Sequence, residues 1–182
     1  MSGRRFILPA GKGEVRLRPV APEDMGFLLQ VYASTRAEEM SLVDWDARQK
    51  NDFLRMQFEA QHKYYTDNYT GASFDVVLCE HEPCGRFYTV RWESEIRIMD
   101  IAVLPGFRNR GVGTRLLHDI IAEGEKLGLP VSIHVERFNP ALRLYSRLGF
   151  ECIEDKDVYL LLRRPLLQMP ETDRQSMEDY HG

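Results

Sequence analysis

Between Glu14 and Arg18 charged and apolar residues alternate one for one, the period of a strand with one buried face, and Pro19 ends the run. The period then changes. Pro22, Glu23 and Asp24 suit a first helical turn, and Met25, Leu28, Leu29 and Tyr32 fall at i, i+3, i+4 and i+7 on one stripe. A second helix is expected from about Asp46 to His62, with Phe53, Met56 and Ala60 on its inner face, and Tyr64, Tyr65 and Tyr69 then mark a loop. Three extended runs follow, Phe74 to Glu80, Gly85 to Trp92 and Glu95 to Leu104, separated by short polar or Gly/Pro breaks, which predicts an antiparallel meander. A third helix opens near Gly111, lines Val112, Leu116, Leu117, Ile120 and Ile121 along its inner face, and ends at Gly128-Leu129-Pro130. Val131 to Glu136 reads as a strand, Pro140 to Leu148 as a short helix, and Phe150 to Glu154 with Val158 to Arg163 as a closing hairpin. The link from Leu104 through the third helix to Val131 is long enough for a right-handed crossover between neighbouring parallel strands.

Length makes this one domain: 182 residues leave little room for a second core, and residues 1–164 hold all the patterned elements. Residues 165–182 carry four acids and one base and read as an acidic, flexible tail. Most of the formal charge of -4 lies in that tail, so net charge says little about what the folded part binds. No long run of Lys or Arg points to a nucleic-acid surface, and no apolar stretch is long enough to span a membrane. The opening Met1 to Pro9 is too short and too soon broken for a signal peptide, so the cytoplasm is the expected compartment. The three thiols Cys79, Cys84 and Cys152 cannot all pair within the chain and are expected to be reduced. Cys79 and Cys84 flank a Glu-His-Glu-Pro hairpin connection rather than a zinc-like spacing, and no metal is expected.

The chemistry concentrates where the last strand of the meander turns into the third helix, Asp100 to Thr114. Gly111 and Gly113 let a ligand approach the main chain, the first helical N–H groups lack internal partners, and the helix dipole favours negative charge there. Arg108 and Arg110 add positive charge and Thr114 a hydroxyl, so a diphosphate fits this turn. The nucleotide P-loop, with its Gly-Lys-Ser/Thr ending, is absent, and the dinucleotide fingerprint would need a glycine where Leu116 stands.

Arg108-x-x-Gly111-x-Gly113 after an apolar strand resembles the pyrophosphate loop of the GNAT superfamily of N-acetyltransferases. The segment Asn139 to Phe150 is similar to that family's Asn-x-x-Ala-x-x-x-Tyr-x-x-x-Gly-Phe motif, one residue shorter between Asn139 and Tyr145. The resemblance is strongest from Glu95 to Arg163 and implies an α/β (α+β) fold. Its sheet would be mixed, mostly antiparallel and six- to seven-stranded, flanked by about four helices, with a splayed parallel strand pair at the cofactor site. It further implies acetyl-CoA as co-substrate. Ile101, Ala102 and Val103 would pair with the pantetheine arm, and Arg108, Asn109, Arg110, Gly111, Val112, Gly113 and Thr114 would hold the diphosphate. Asn139, Arg143 and Tyr145 would contact the cofactor from the other side. A homodimer is implied on the same ground.

Tyr145 matches the family tyrosine beside the thioester sulfur, where a phenol can protonate the leaving thiolate. Many members carry a Glu or His base at the position of Arg97, which cannot serve as one at neutral pH. His134, sent by alternation to the face opposite Val131, Ile133 and Val135, is the next candidate base, and Glu95 the second. Asp100 is expected on the opposite side of the sheet from Arg97, as a hydrogen-bonded structural acid. The acceptor would be an amine-bearing small molecule or peptide, drawn by Glu38, Glu39, Asp44, Trp45, Asp155 and Asp157 if they converge. The rival reading is a non-catalytic acyl-CoA-binding sensor that engages a partner through the Trp45 to Tyr69 region. A longer acyl donor is a further rival, to be decided by the space near Met99.

Overall fold

The computed structural model describes residues 5–7 and 14–166. Its elements run β1 (Arg5–Ile7), β2 (Glu14–Pro19), α1 (Met25–Thr35), α2 (Ala37–Ser41), α3 (Ala47–Asn68), β3 (Ser73–Cys79), β4 (Glu82–Arg91), β5 (Ile96–Val103), α4 (Val112–Leu127), β6 (Val131–Glu136), α5 (Leu142–Arg147), β7 (Glu151–Lys156) and β8 (Tyr159–Arg164). The strands form one sheet in the order β1-β2-β3-β4-β5-β6-β8-β7, antiparallel everywhere except at β5 and β6. The mixed α/β sheet with one parallel pair is therefore present. It gains β1, a strand too short to show a period, and the single-turn α2. Of the acidic tail, residues 167–182 lie outside the described residues.

Alternation along each strand divides the interior into two layers. Val77 faces one way, with Val15, Leu17, Ile96, Ile98, Val131, Ile133 and Val135, onto the apolar stripe of α4 and onto Tyr145 and Phe150. Its neighbour Val76 faces the other way, onto Leu28 and Tyr32 of α1 and Leu54 and Phe58 of α3. Strand β4 lies between both layers and is buried without interruption from Cys84 to Val90. Among the described residues no helix is long and apolar enough to cross a membrane.

Expectations for α3 and for β5 need correction. The helix expected to stop at His62 continues to Asn68, so Tyr64 and Tyr65 are helical and Tyr69 caps its end. No Gly or Pro interrupts the chain before Gly71, and Tyr65 packs edge-on against Tyr88 while Tyr69 stacks on Trp92. The inner face of α3 carries Leu54 and Phe58, whereas Met56 and Ala60 are exposed.

The second correction concerns β5. Tyr88 pairs with Asp100 but the next residue, Thr89, pairs with Ile98, which leaves Met99 as an extra residue in a bulge. The bulge resets the alternation. Asp100 thus faces α1 and α3, the same side as Arg97, not the opposite one: its carboxylate binds Arg86, whose guanidinium also reaches Gln61 of α3 and lies over the Tyr32 ring of α1. Asp100 is a hydrogen-bonded structural acid, as expected, on the unexpected face.

Candidate active site

β5 and β6 pair through only three residue couples, Ile96 with Val131, Arg97 with Ser132 and Ile98 with Ile133. Beyond them each strand keeps its outer partner, β4 for one and β8 for the other, and the pair opens into a V. His134 is the first residue of β6 past the junction, and the Met99 bulge opens the other arm.

The open edge of β5 is available for main-chain pairing. Leu104 donates its N–H to Cys84 O on β4, so alternation turns the peptide groups of Ala102 toward β4 and those of Ile101 and Val103 toward the V. Val103 O already accepts from Arg108 Nε at 2.9 Å, and Arg108 Nη2 reaches Ser34 O of α1 at 3.3 Å. Arg108 thus ties the end of β5 to α1, while Arg110 lies over the Phe107 ring, 5.2 Å from its centroid.

The turn then enters α4 in a form suited to an anion. Asn109 and Gly111 both take left-handed backbone angles, with φ of 59° and 87°. No side chain caps the helix, and its first internal bond runs from Arg115 N–H to Gly111 O. The N–H groups of Val112, Gly113 and Thr114 are left without partners among the described residues, in the positive end of a sixteen-residue helix. A Cβ added at Gly113 would meet no protein atom within 4 Å, so packing does not demand the glycine there and a ligand has room.

Tyr145 reaches the layer beneath the V from α5. It is 3% exposed, packs edge-on against Phe150 at 5.7 Å, and its hydroxyl makes no hydrogen bond among the described residues. Burial first, and the charge of Asp100 second, push its phenol above the ordinary value. Asn139 accepts from Ala141 N–H through Oδ1 at 2.8 Å, which shapes the start of α5 and leaves its amide nitrogen for a ligand. Arg143 is exposed on the same helix.

On the other side of the sheet the two candidate bases share one network. Glu95, 5% exposed, accepts from Arg97 Nη2 at 2.5 Å and from Arg163 Nη2 at 3.0 Å. Burial alone would raise its carboxyl, but the hydrogen bond and charge of Arg97, with the hydrogen bonds of Ser132 and Arg163, outweigh it and hold the group low. A carboxylate so engaged is a poor proton acceptor. Arg97 also donates from Nε to Ser132 Oγ at 2.6 Å and lies 3.0 Å from His134 Nδ1 through Nη1. Burial, then the Arg97 charge, lowers His134 below 6.5. Ser132 and Arg163 did not emerge from the motifs. Ser132 stands two residues before His134, so alternation alone would have placed it on the same face, whereas Arg163 needs the β6–β8 register.

Two of the acidic residues expected around the acceptor are engaged by arginines. Glu39 is paired with Arg36, which also binds Glu136 at 2.9 Å, and Asp155 is paired with Arg137. Trp45 packs edge-on against Phe53.

His62 on α3 is a second histidine held below 6.5, by burial and then by the charge of Arg86, and its Nδ1 is buried without a partner. Because both rings have depressed folded values, the unfolded chain binds more protons below pH 6.5. The stability they contribute is present above that pH and is lost as pH falls through their folded values. Urea midpoints should therefore be lower at pH 5.5 than at pH 7.5, and His62→Phe should reduce the difference.

The chain is 26% identical over 151 residues to N-alpha-acetyltransferase 50 of Danio rerio, a match covering 81% of each protein. Its fold is similar to that of PaiA N-acetyltransferase from Thermoplasma acidophilum in complex with coenzyme A, with a TM-score of 0.64 at 13% identity over 83% of this chain and 98% of that one. It is also similar to the ribosomal-protein-S18-alanine N-acetyltransferase from Escherichia coli, with a TM-score of 0.57 at 18% identity over 86% and 97%. The model of the acetyltransferase (GNAT) family matches residues 38–150, well over half of the chain and both arms of the V, and the chain belongs to that family.

Proposed function

We propose that this protein transfers the acetyl group of acetyl-CoA to an α-amine, by direct attack in a ternary complex without a covalent enzyme intermediate. The observation that carries the reading is the continuity of the open β5 edge with the uncapped start of α4. Ile101 and Val103 would pair with the amide groups of the pantetheine arm, and the N–H groups of Val112, Gly113 and Thr114 would bind the diphosphate. Arg110 and Thr114 add charge and a hydroxyl, while Asn139 and Arg143 flank the arm from α5.

In the transfer, the amine nitrogen forms a bond to the thioester carbonyl carbon and the carbon–sulfur bond breaks. Tyr145, kept protonated by its burial, donates to the departing sulfur and recovers its proton from solvent. The proton shed by the amine goes to water at the mouth of the V. Magnitudes favour an α-amine for a site without a strong base. A lysine-like amine of pKa about 10.4 is neutral in roughly one molecule in 2,500 at pH 7, an obstacle of about 4.6 kcal/mol, whereas an α-amine near 7.7 faces only about 1 kcal/mol. The name of the Danio rerio relative, an N-alpha-acetyltransferase, agrees with that class.

The test is thiol release from acetyl-CoA with peptides bearing a free N-terminus, set beside N-terminally blocked peptides that carry only lysine amines. Turnover with the first set and little with the second is expected. Turnover on lysine alone would overturn the acceptor class. Acetyl-CoA binding by calorimetry without turnover on any amine would favour the acyl-CoA sensor.

A further inference from the structure

We propose that Arg97 is a positioning residue that commits His134 to the neutral tautomer with its hydrogen on Nε2, so that His134 serves as a hydrogen-bond donor at the throat of the V and not as the base. A guanidinium has only donors to offer, so the 3.0 Å contact from Arg97 Nη1 requires His134 Nδ1 to present its lone pair. A neutral imidazole then carries its one hydrogen on Nε2, the ring nitrogen without a partner among the described residues. Accepting a proton at Nε2 would require the opposite tautomer, and that would set an Nδ1–H against an arginine N–H. Protonating Nδ1 itself makes the same clash.

Arg97 is not free to swing away. Nε is held by Ser132, which is fully buried, and Nη2 by Glu95, itself pinned by Arg163. Its guanidinium also lies 5.3 Å from the centroid of the Trp92 ring, which stacks on Tyr69 at the end of α3. The charged groups that reach His134 act in both directions. Arg97 from β5 and Lys156 from β7 disfavour the charged ring, and Glu154 from β7 and Glu95 beside β5 favour it. Although the ring is partly open to solvent, desolvation is the largest influence and the net direction is downward, which favours the neutral ring. Arg97 thus sets the role of the histidine across the junction. The donor would meet an oxygen of the bound substrates, and this catalytic consequence, unlike the tautomer itself, rests on the acetyltransferase reading.

The tautomer can be read without turnover. In the full chain labelled with 15N-histidine, long-range proton–nitrogen correlations of the imidazole at pH 6 to 8, assigned by their loss in His134→Gln, should show hydrogen on Nε2 only. Arg97→Met should yield a mixture of tautomers. An Nδ1–H or a charged His134 ring at pH 7 in the unaltered protein would overturn the proposal. Kinetics test the role separately. His134→Ala should lower turnover about tenfold, and His134→Gln, which places an amide N–H near the position of Nε2–H but cannot take a proton, should restore most of that loss. Equal losses in the two variants would overturn the donor role while leaving the tautomer result intact, and failure of the acetyltransferase reading would show as no turnover in any form.

Discussion

Replacing Tyr145 with phenylalanine is expected to lower kcat about 100- to 1,000-fold, within the range associated with loss of a positioned general acid. The fold should hardly notice. The Tyr145 hydroxyl has no hydrogen-bond partner among the described residues, and the ring keeps its edge-on contact with Phe150, so unfolding free energy should change by no more than about 0.5 kcal/mol. Acetyl-CoA affinity measured by calorimetry should stay within a few-fold, because the diphosphate and arm are assigned to main-chain groups of β5 and α4. The steepest loss belongs in kcat rather than KM, since the departing sulfur needs the proton only in the transition state. A variant that turns over at the original rate would remove Tyr145 from the chemistry and leave it as packing under the sheet.

The second large effect is one of stability. Asp100→Ala should destabilise the fold by about 3–5 kcal/mol, read from urea denaturation at pH 7.5, because it leaves the Arg86 guanidinium buried without its carboxylate. Arg86 is 2% exposed, and two of its three side-chain hydrogen bonds go to Asp100, the third to Gln61. The rings of Tyr32 and Tyr88, 5.7 and 5.5 Å from its carbon, cannot substitute for an anion. Removing both charges together, as Arg86→Met with Asp100→Leu, should be less harmful than Asp100→Ala alone, since no unpaired charge remains in the interior. A single variant as stable as the parent would mean that water reaches the arginine.

Much of this architecture is legible in the sequence because two kinds of signal are local. Glycine at 111 and 113, with the arginines before them, announces a turn suited to an anion, and the apolar stripe from Val112 to Ile121 announces the helix behind it. The unseen parts depend on non-local registration. Nothing in the letters around Met99 says that β4 will skip it, yet that skip decides which face Asp100 serves. Along α3 the apolar residues are sparse, so Phe53-Met56-Ala60 and Leu54-Phe58 compete as stripes. The sheet resolves the choice by offering Val76 to the second. The link between Arg97 and His134 crosses from one strand to another 37 positions on, and needs the register at the β5–β6 junction before it can be drawn. Arg97 stands out in the sequence as a cation where the family resemblance implies a base, but its contact with His134 does not.

The brevity of that junction has a mechanical consequence. Three couples join a five-stranded slab to a three-stranded one, with α4 packed across the seam and the bonds of Arg97 to Ser132 and of Arg163 to Glu95 crossing it at the same end. Beyond Ile98 and Ile133 no main-chain ladder joins the two slabs, so spreading of the V is opposed there by side-chain packing alone.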